Sequence, residues 1–403
     1  MYYDKTRACG TLAGSGVNDP LTLWILADPH YLSTKLFDLN AASFQRLLEH
    51  EAGRLIERMP QVMESFVKRA VQQKPDAVLL PGDLTLNGEL ISLQEIREYL
   101  EQIRQAGIDV IVIPGNHDIE HPRAGSYTQQ EAGDTPSVTK SLFLEEMKRF
   151  GYADSISQAP DSFSYCYPIR DDLRILALDA NTKDMPCALT DSTLHWAEEQ
   201  LADAQKNGCA VISISHQNIL VQDKRMERGF VMNNHREVVR LLQKYGVKLH
   251  LSGHAHLQSY AMDNDLYDIC TECAAVSPLG FGVLEISGDH NKWSYHRSLF
   301  ELYQEEAEQR MNRTVKRMLA GALPEGLYTE AEQNCMMKLG TELVVSYFAG
   351  NICSLESPER KADAERWLTQ SGQNDQSDYI VSIIKQEEQC HKELQNVNNS
   401  HRE

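Results

Sequence analysis

The chain has 403 residues, of which 42% are hydrophobic, so it can bury a large core and is longer than one average domain. Acidic residues outnumber basic ones, 58 to 39, and the formal net charge at pH 7 is −19. This charge opposes non-specific binding to nucleic-acid polymers and to anionic membrane surfaces, so a phosphate ligand needs a local positive charge.

Two features of the sequence bear on location. The apolar run at residues 21–27 is too short to span a bilayer and lacks the basic flank and cleavage site of a signal peptide. Nine cysteines are an odd number scattered through a large chain, which favours free thiols in a reducing compartment over a disulfide framework. Cys270 and Cys273 form a CxxC pair, but a second pair at zinc-binding spacing is missing. We therefore expect a cytoplasmic protein without a membrane span.

Short apolar runs alternate with helical patterns between residues 21 and 286. The runs are LTLWILA at 21–27, AVLLPG at 77–82, DVIVIPG at 109–115, LRILALD at 173–179, CAVISISH at 209–216 and VKLHLSGHAH at 247–256. Residues 40–73 and 89–107 have helical spacing. Residues 121–162 lack a clear period and are predicted to form an insertion loop followed by one helix at about 137–150. This rhythm predicts an α/β fold, a sheet covered by helices, whose ligand site lies beyond the carboxyl ends of the strands.

The pattern changes after residue 286. HNKWSYH predicts a last strand, and residues 298–403 are predicted to be helical. Spacings of three and four place six side chains on one helix face, namely Leu299, Tyr303, Ala307, Met311, Val315 and Met318. Three further helices are predicted. The first begins at a capping box formed by Thr329 and Glu332, and the second begins at Ser357 and Pro358. The third contains Ile380, Ile383 and Ile384. We expect a catalytic domain at 1–297 and a helical extension that docks on it or on a second copy of the chain, as a homodimer.

The predicted strands end at polar clusters. In chain order, the side chains at these ends are Asp28, His30, Asp83, Asn116, His117, His216, His254 and His256. Each offers a lone pair and none is a thiolate, so the set suits divalent manganese, iron or zinc. Leaving His117 aside, seven side chains supply about four ligands for each of two ions if Asp83 is shared. Gly82, Gly115 and Gly253 directly precede ligand motifs, where the missing side chain lets the backbone turn sharply.

These residues stand in five ordered motifs: DPH, GD, GNHD, the His of SHQN, and GHAH. Over residues 20–297 the sequence resembles the calcineurin-like metallophosphoesterase family. The resemblance implies a β-sandwich flanked by helices and two divalent metal ions. The ligands that it implies are Asp28, His30, Asp83 and His256 for one ion, and Asp83, Asn116, His216 and His254 for the other.

The resemblance also implies a mechanism. Two divalent ions lower the pKa of a shared water toward neutrality, so a metal-bridging hydroxide is the expected nucleophile. His117 is the expected acid that protonates the leaving alkoxide, and Asp118 is its expected orienting partner.

The residues after Asp83 reduce the range of substrates that we expect. Protein Ser/Thr phosphatases of this family carry Asp and then Arg at the positions of Leu86 and Asn87, and purple acid phosphatases carry a tyrosine ligand at position 86. The sequence looks more like the bacterial cyclic-nucleotide phosphodiesterase-like branch. We expect hydrolysis of cyclic nucleotides or other small phosphodiesters. A phosphomonoesterase acting on nucleotides or sugar phosphates, and a catalytically silent metal-binding scaffold, stay open.

The segment from Gln217 to Val239 is longer than a simple connection needs, and long segments near a site often carry specificity. Its candidates for binding the substrate are Asn218, Arg225, Arg228, Asn233 and His235. The alternative is a solvated loop that leads into a helix at about Asn234. His121 is a weaker candidate to face the site, and His250 is interpreted as a buried neighbour within a strand. A cap formed by the C-terminal helices is a further hypothesis.

Overall fold

The computed structural model describes residues 5–12, 20–182, 185–287, 292–351 and 353–400, with side chains as far as residue 389. Fifteen strands lie in these ranges: β1 Arg7–Thr11, β2 Leu21–Ile25, β3 Ala77–Pro81, β4 Asp109–Ile113, β5 Gly125–Ser126, β6 Gly133–Asp134, β7 Ser157–Gln158, β8 Tyr165–Arg170, β9 Leu173–Leu178, β10 Ala210–Ser215, β11 Leu249–Ser252, β12 Ser259–Asp263, β13 Leu266–Cys270, β14 Gly280–Ile286 and β15 Lys292–Leu299.

Ten α-helices lie in the same ranges: α1 Ala42–His50, α2 Met59–Gln73, α3 Leu90–Gln105, α4 Lys140–Met147, α5 Asp191–Lys206, α6 His235–Lys244, α7 Gln304–Met318, α8 Glu330–Phe348, α9 Pro358–Leu368 and α10 Asp375–Ser400. Single helical turns lie at Thr34–Leu36, Ile56–Arg58, Lys148–Tyr152 and Lys224–Met226. None of the described helices is long and apolar enough to cross a membrane.

Two mixed sheets form the centre of the fold. The first has six strands in the order β1-β15-β14-β2-β3-β4, and the second has seven in the order β12-β13-β11-β10-β9-β8-β7. Strands β2, β3 and β4 run parallel in the first sheet, as do β9, β10, β11 and β13 in the second. Aliphatic side chains of both sheets share one buried cluster, which makes the pair a sandwich. The predicted α/β sandwich is confirmed.

Helices cover both outer faces because each carries an apolar stripe. Helix α3 buries Leu93, Ile96 and Leu100 in the core shared with the first sheet. Helices α5 and α6 contribute Trp196 and Val238 to a second cluster against β9 of the second sheet. Burial of such stripes contributes more to helix stability than intrinsic propensity does.

The C-terminal helices pack on the sandwich. Ala307, Met311 and Val315 of α7 are buried in the main core. Arg58 pairs with Glu306 at 3.1 Å across this contact. Most of the apolar stripe of α7 is therefore covered within one chain, and the homodimer through these helices stays a prediction.

The helix starts agree with the sequence, and some boundaries do not. Thr329 caps α8 in a capping box, and Ser357 caps α9 ahead of its proline. Leu299, in contrast, belongs to strand β15, where it pairs with Gly280, so the helix face predicted to start at Leu299 begins only after Tyr303.

Two other predictions of local structure are corrected. The predicted helical stretch at residues 40–73 divides into α1 and α2, because a turn containing Gly53 at φ 91° separates them. Strand β1 was not predicted, since its residues alternate between exposed and partly buried positions and carry no apolar run. The eight cysteines with described side chains are free thiols, as expected.

Candidate metal centre

The polar residues predicted at strand ends meet at one edge of the sandwich. Asp28 follows β2, Asp83 follows β3 and Asn116 follows β4, while His216 follows β10 and His254 follows β11. Because the carboxyl ends of these parallel strands lie at the same edge, residues far apart in sequence come within contact distance.

The first cluster contains Asp28, His30, Asp83 and His256, whose ligand atoms all lie within 4.8 Å of one another. Nε2 of His30 lies 3.0 Å from Nε2 of His256 and 3.6 Å from Oδ2 of Asp83. Nε2 of His256 lies 3.8 Å from Oδ1 of Asp28. The Nδ1 atom of His30 is buried without a hydrogen-bond partner in the described structure. Nitrogen and oxygen lone pairs converge here, as a bound cation requires.

The second cluster contains Asp83, His216 and His254, with Asn116 beside them. Nε2 of His216 lies 3.3 Å from Oδ2 of Asp83 and 3.0 Å from Nδ1 of His254. It also lies 3.0 Å from Oδ1 of Asn116. Asp83 is thus common to both clusters, in the position predicted for a shared carboxylate.

Backbone carbonyls fix the orientation of two histidines. Nδ1 of His216 donates to the carbonyl of Pro81 at 2.8 Å, and Nε2 of His254 donates to the carbonyl of Gly229 at 2.7 Å. Each bond places the proton on the ring nitrogen that faces away from the cluster. Nε2 of His216 and Nδ1 of His254 are therefore the ring nitrogens that face the cluster, as in histidines that bind a metal. Burial lowers the pKa of His216, but the nearby carboxylates of Asp83 and Asp28 outweigh burial and raise this pKa to about 9, so His216 loses a proton when it binds a metal.

The backbone is strained at these positions. Five non-glycine residues of the two clusters have φ between 43° and 66°, in the left-handed region: Asp28, His30, Asp83, His254 and His256. Such conformations are costly for residues with a Cβ and concentrate at functional sites. The strain is retained because the packed strand ends determine where each side chain points.

Two glycines are required by close approach. A Cβ on Gly115 would lie 2.2 Å from Oδ1 of Asp83, and a Cβ on Gly253 would lie 2.5 Å from Oδ2 of Asp28. A side chain at either position would displace a carboxylate. The glycines singled out in the sequence therefore leave room for the candidate ligands.

Burial and charge set the protonation of the clusters. Burial raises the pKa of Asp28 to about 8. Burial lowers the pKa of His30 and of His256, and the nearby Arg54 lowers both further. Burial also lowers the pKa of His254 to about 4. These three histidines are neutral at pH 7, which is the form that donates a lone pair to a metal.

His117 lies beside the clusters with its ring held in place. Its backbone N–H donates to Oδ1 of Asp83 at 2.8 Å. Its Nδ1 lies 2.8 Å from the carbonyl of Leu86 and 3.1 Å from Oδ1 of Asn87. Nδ1 donates to these oxygens, so Nε2 is the ring nitrogen left to meet a substrate. The ring of His121 stacks on that of His117, with centroids 4.7 Å apart.

The predicted orienting role of Asp118 is wrong. Its Oδ2 accepts hydrogen bonds from the backbone N–H groups of Gly115 and Leu84 at 2.8 and 3.1 Å. Its Oδ1 accepts from the backbone and the hydroxyl of Thr85 at 2.9 and 3.0 Å. Asp118 is fully buried and ties the loop after β4 to the loop after β3, while the carbonyl of Leu86 orients His117.

The predicted substrate-binding residues form hydrogen bonds to other residues of the chain. Asn218 donates to Oγ of Ser252 at 2.7 Å, Asn233 donates to the carbonyl of Pro186 at 3.2 Å, and Nδ1 of His235 donates to the carbonyl of Ile219 at 3.2 Å. None of the three lines the cavity described below. Their contact with a substrate stays a prediction, as does that of Arg228.

Two other predictions concern residues in and beside the second sheet. His250 is buried between the hydroxyls of Ser213 and Ser215, each 2.8 Å from a ring nitrogen, so its interpretation as a strand neighbour is confirmed. Arg225 stacks between the rings of Tyr347 and Tyr379 instead of facing the clusters.

Two residues near the clusters were missed as site residues. Sγ of Cys273 donates to the carbonyl of Asp28 at 3.1 Å, beside His30 and His256. Arg54 lines the same cavity as Asp83. Neither lies in a ligand motif, and only the CxxC pair gave a signal for Cys273.

Comparison with known proteins agrees with this geometry. A family model described as calcineurin-like phosphoesterase matches residues 21–258. A glycerophosphodiester phosphodiesterase GpdQ of Enterobacter lignolyticus is 26% identical over 190 residues, which are 46% of this chain and 58% of that protein. A probable cyclic nucleotide phosphodiesterase of Synechococcus sp. is 25% identical over 186 residues, 46% of this chain and 59% of that protein. The chain thus matches less than two thirds of the length of these relatives.

One solved structure supports the fold. A dimetal phosphatase from Danio rerio superposes with a TM-score of 0.51 at 14% identity, covering 67% of this chain and 94% of that one. The family model spans more than half of the present chain, over the segment that carries every candidate ligand. The chain belongs to the calcineurin-like phosphoesterase family.

Proposed function

We propose that the protein hydrolyses small phosphodiesters, with cyclic nucleotides as the first class to test, and that two divalent metal ions bind at the clusters. The observation that supports this most is the pair of donor clusters that share Asp83. Family membership makes phosphoester hydrolysis the expected chemistry, and two relatives are named as phosphodiesterases. The acidic net charge disfavours nucleic-acid polymers as substrates.

The donor set suits the ions. We assign one ion to Asp28, His30, Asp83 and His256, and the other to Asp83, Asn116, His216 and His254. The mix of imidazole nitrogen and carboxylate or amide oxygen fits manganese, iron or zinc. When bound, such ions activate water and neutralise the charge that develops on phosphate oxygens.

The residues of the chain have separate tasks in this proposal. The carbonyls of Pro81 and Gly229 fix the ring orientation of His216 and His254. His117 protonates the leaving oxygen through Nε2, because its Nδ1 is engaged by the carbonyl of Leu86. Asp83 is buried, and it is common to both clusters.

Hydrolysis of bis-p-nitrophenyl phosphate and of p-nitrophenyl phosphate with added manganese tests the proposal. We expect activity on the diester to exceed activity on the monoester, and Asp83→Asn to reduce it about a thousandfold because both clusters lose their shared charge. The matched control is Asp265→Asn, since the side chain of Asp265 is 81% exposed and pairs with Lys248 at the surface.

Metal content separates the alternatives. A preference for the monoester would favour a phosphomonoesterase. Bound manganese without activity on either ester would contradict hydrolysis and favour a metal-binding scaffold. Less than one metal per chain after reconstitution would contradict the assignment of the two clusters.

A further inference from the structure

A cavity of about 360 Å³ connects the metal centre with the C-terminal helices. Asp83, His117 and His256 form its floor. Much of the opposite wall comes from α7 and α8, which lie outside the segment matched by the family model. Part of the wall that a substrate would meet beyond its phosphate therefore lies outside the segment that the family model matches.

This wall is mostly apolar, with Thr314 of α7 as its polar side chain among the described lining residues. It contains Met226 and Phe230 from the loop after β10, Met311 and Met318 from α7, and Phe348 from α8. A charged group would lose its hydration against such side chains without gaining a partner. Thioether and aromatic side chains instead favour a flat apolar group, because methionine adapts to the shape of a ring and contacts it through sulfur. The ring of Phe230 lies 5.5 Å from that of His254, so the wall reaches the metal centre.

Arg54 supplies a positive charge at the border between the floor and the wall. One end of its guanidinium pairs with Glu51, and Nε donates to the carbonyl of Glu51 at 3.3 Å. The Nη1 atom is buried and has no hydrogen-bond partner in the described structure. An unpaired guanidinium N–H in a buried position is costly, and a phosphate oxygen would satisfy it with a charge-assisted hydrogen bond.

The segment of Arg54 and helix α7 are held together. Arg310 donates to the carbonyl of Arg54 at 3.2 Å and to Glu57 at 3.1 Å. Gly53 permits the close approach, since a Cβ there would lie 3.1 Å from the sulfur of Met311. The charge of Arg54 and the apolar wall are therefore parts of one preformed cavity.

We propose that this cavity binds phosphoesters that carry an aromatic group, with Arg54 contacting a phosphate oxygen and the wall of α7, α8 and the loop after β10 contacting the ring. The inference rests on the proposed function in that the reacting group is a phosphate ester. It assigns the C-terminal helices a direct part in substrate selection.

Binding of two non-hydrolysable phosphonates tests the proposal without relying on catalysis. Phenylphosphonate and methylphosphonate have the same charge when both are dianions and differ only in the apolar group. We expect calorimetry on the manganese-loaded full chain to show about tenfold or more tighter binding of phenylphosphonate. Equal affinities would overturn the proposal.

Met318→Gln tests the wall, because the side chain of Met318 is 41% exposed and tolerates a polar replacement. We expect it to reduce the preference for phenylphosphonate about threefold and to leave methylphosphonate unchanged. Met262→Gln is the matched control, since Met262 is 40% exposed on β12 and outside the cavity. An unchanged preference in Met318→Gln, or an equal loss in both variants, would overturn the role of the wall.

Arg54→Met tests the phosphate contact. We expect it to weaken both phosphonates by about tenfold, because it removes a contact to the group that they share. Glu51→Gln also removes the ion pair between Arg54 and Glu51, but it keeps the guanidinium of Arg54. We therefore expect Glu51→Gln to bind both phosphonates as the wild type does, even if its melting temperature is lower. Equal loss of binding in both variants, or unchanged binding in Arg54→Met, would overturn the assignment.

The outcomes separate the two proposals. A preference for phenylphosphonate without hydrolysis of any phosphoester would refute the proposed function and leave the cavity assignment standing. Hydrolysis of phosphodiesters with equal affinity for the two phosphonates would support the proposed function and refute the cavity assignment.

Discussion

The sandwich and the C-terminal helices contribute to the same cavity in different ways. The sandwich supplies polar side chains from loops at strand ends, where buried hydrogen bonds and left-handed backbone fix each group. The helices supply apolar side chains from regular helix faces, and part of that surface stays exposed, as at Met318. In the two proposals, the strand-end loops carry the groups that act on the phosphate, while the packed helices define the shape of the space around it.

This difference leads to an expectation about kinetics. Changes at the strand ends should lower kcat, because they alter groups that act on the reacting phosphate. Substitutions in the helices should raise KM for bulky substrates and leave kcat unchanged. The contacts that they alter contribute the same binding energy in the ground state and in the transition state.

The largest expected effect concerns His117. His117→Asn removes the proposed acid, so we expect kcat for methyl phenyl phosphate to fall by about 10²–10⁴. For methyl p-nitrophenyl phosphate we expect a much smaller loss, because p-nitrophenolate is a weak base and leaves without a proton. Steady-state kinetics on both esters measure the difference.

Metal content provides the control for this variant. His117 belongs to neither donor cluster, so His117→Asn should bind as much manganese as the wild type. A loss of equal size on both esters would contradict the role as acid and favour a contact with the phosphate.

The sequence predicted the donor clusters better than the cavity. Candidate ligands such as Asp83 and His216 stand in short motifs directly after apolar strands, and the parallel strand order brings these motifs to one edge. The motifs therefore predicted which side chains meet. Asp118 shows the limit of that inference, since an acid next to His117 in sequence bonds backbone N–H groups of another loop.

The cavity wall depends on contacts between distant segments. Arg54 follows no motif, and its position depends on how α7 docks through Arg310. Arg225 was a candidate for binding the substrate, yet its guanidinium packs on two tyrosines of the C-terminal helices. The spacing of apolar residues along the chain predicts where helices form and which residues cap them. It does not predict how the helices dock, because docking depends on contacts between residues that are far apart in the sequence.

The next expected effect concerns the stability of the helical region. Glu387 on α10 is buried and accepts a hydrogen bond from the backbone N–H of Cys353 at 3.2 Å. Burial raises the pKa of Glu387 from 4.5 to about 7. Between these pH values the folded protein holds a proton that the unfolded chain has lost, so the free energy of unfolding falls as pH rises from about 4.5 to about 7.

Glu387→Gln removes this dependence. We expect the variant to be about 2 kcal/mol more stable than the wild type at pH 8 and to match it near pH 4.5, as measured by urea unfolding across this range. Glu388→Gln is the control, because Glu388 is the exposed neighbour on the same helix. A constant difference between Glu387→Gln and the wild type at all pH values would show that Glu387 does not titrate differently in the two states.

The smallest expected effect concerns one of the contacts that join the two regions. Arg225 stacks 5.3 Å from the ring centroid of Tyr347 and 4.3 Å from that of Tyr379, and it donates to the carbonyl of Tyr379 at 2.9 Å. This contact holds the loop that carries Phe230 against the C-terminal helices. In Arg225→Met we expect KM for phenyl p-nitrophenyl phosphate to rise about threefold, with kcat unchanged, because a loosened wall costs binding energy of the size of one cation–π contact. Lys224→Met removes the adjacent exposed charge and should behave like the wild type. A lower kcat of Arg225→Met on methyl p-nitrophenyl phosphate as well would contradict this expectation. The loop that carries Phe230 would then act on the phosphate, as the strand-end loops do, and would not serve only to shape the cavity.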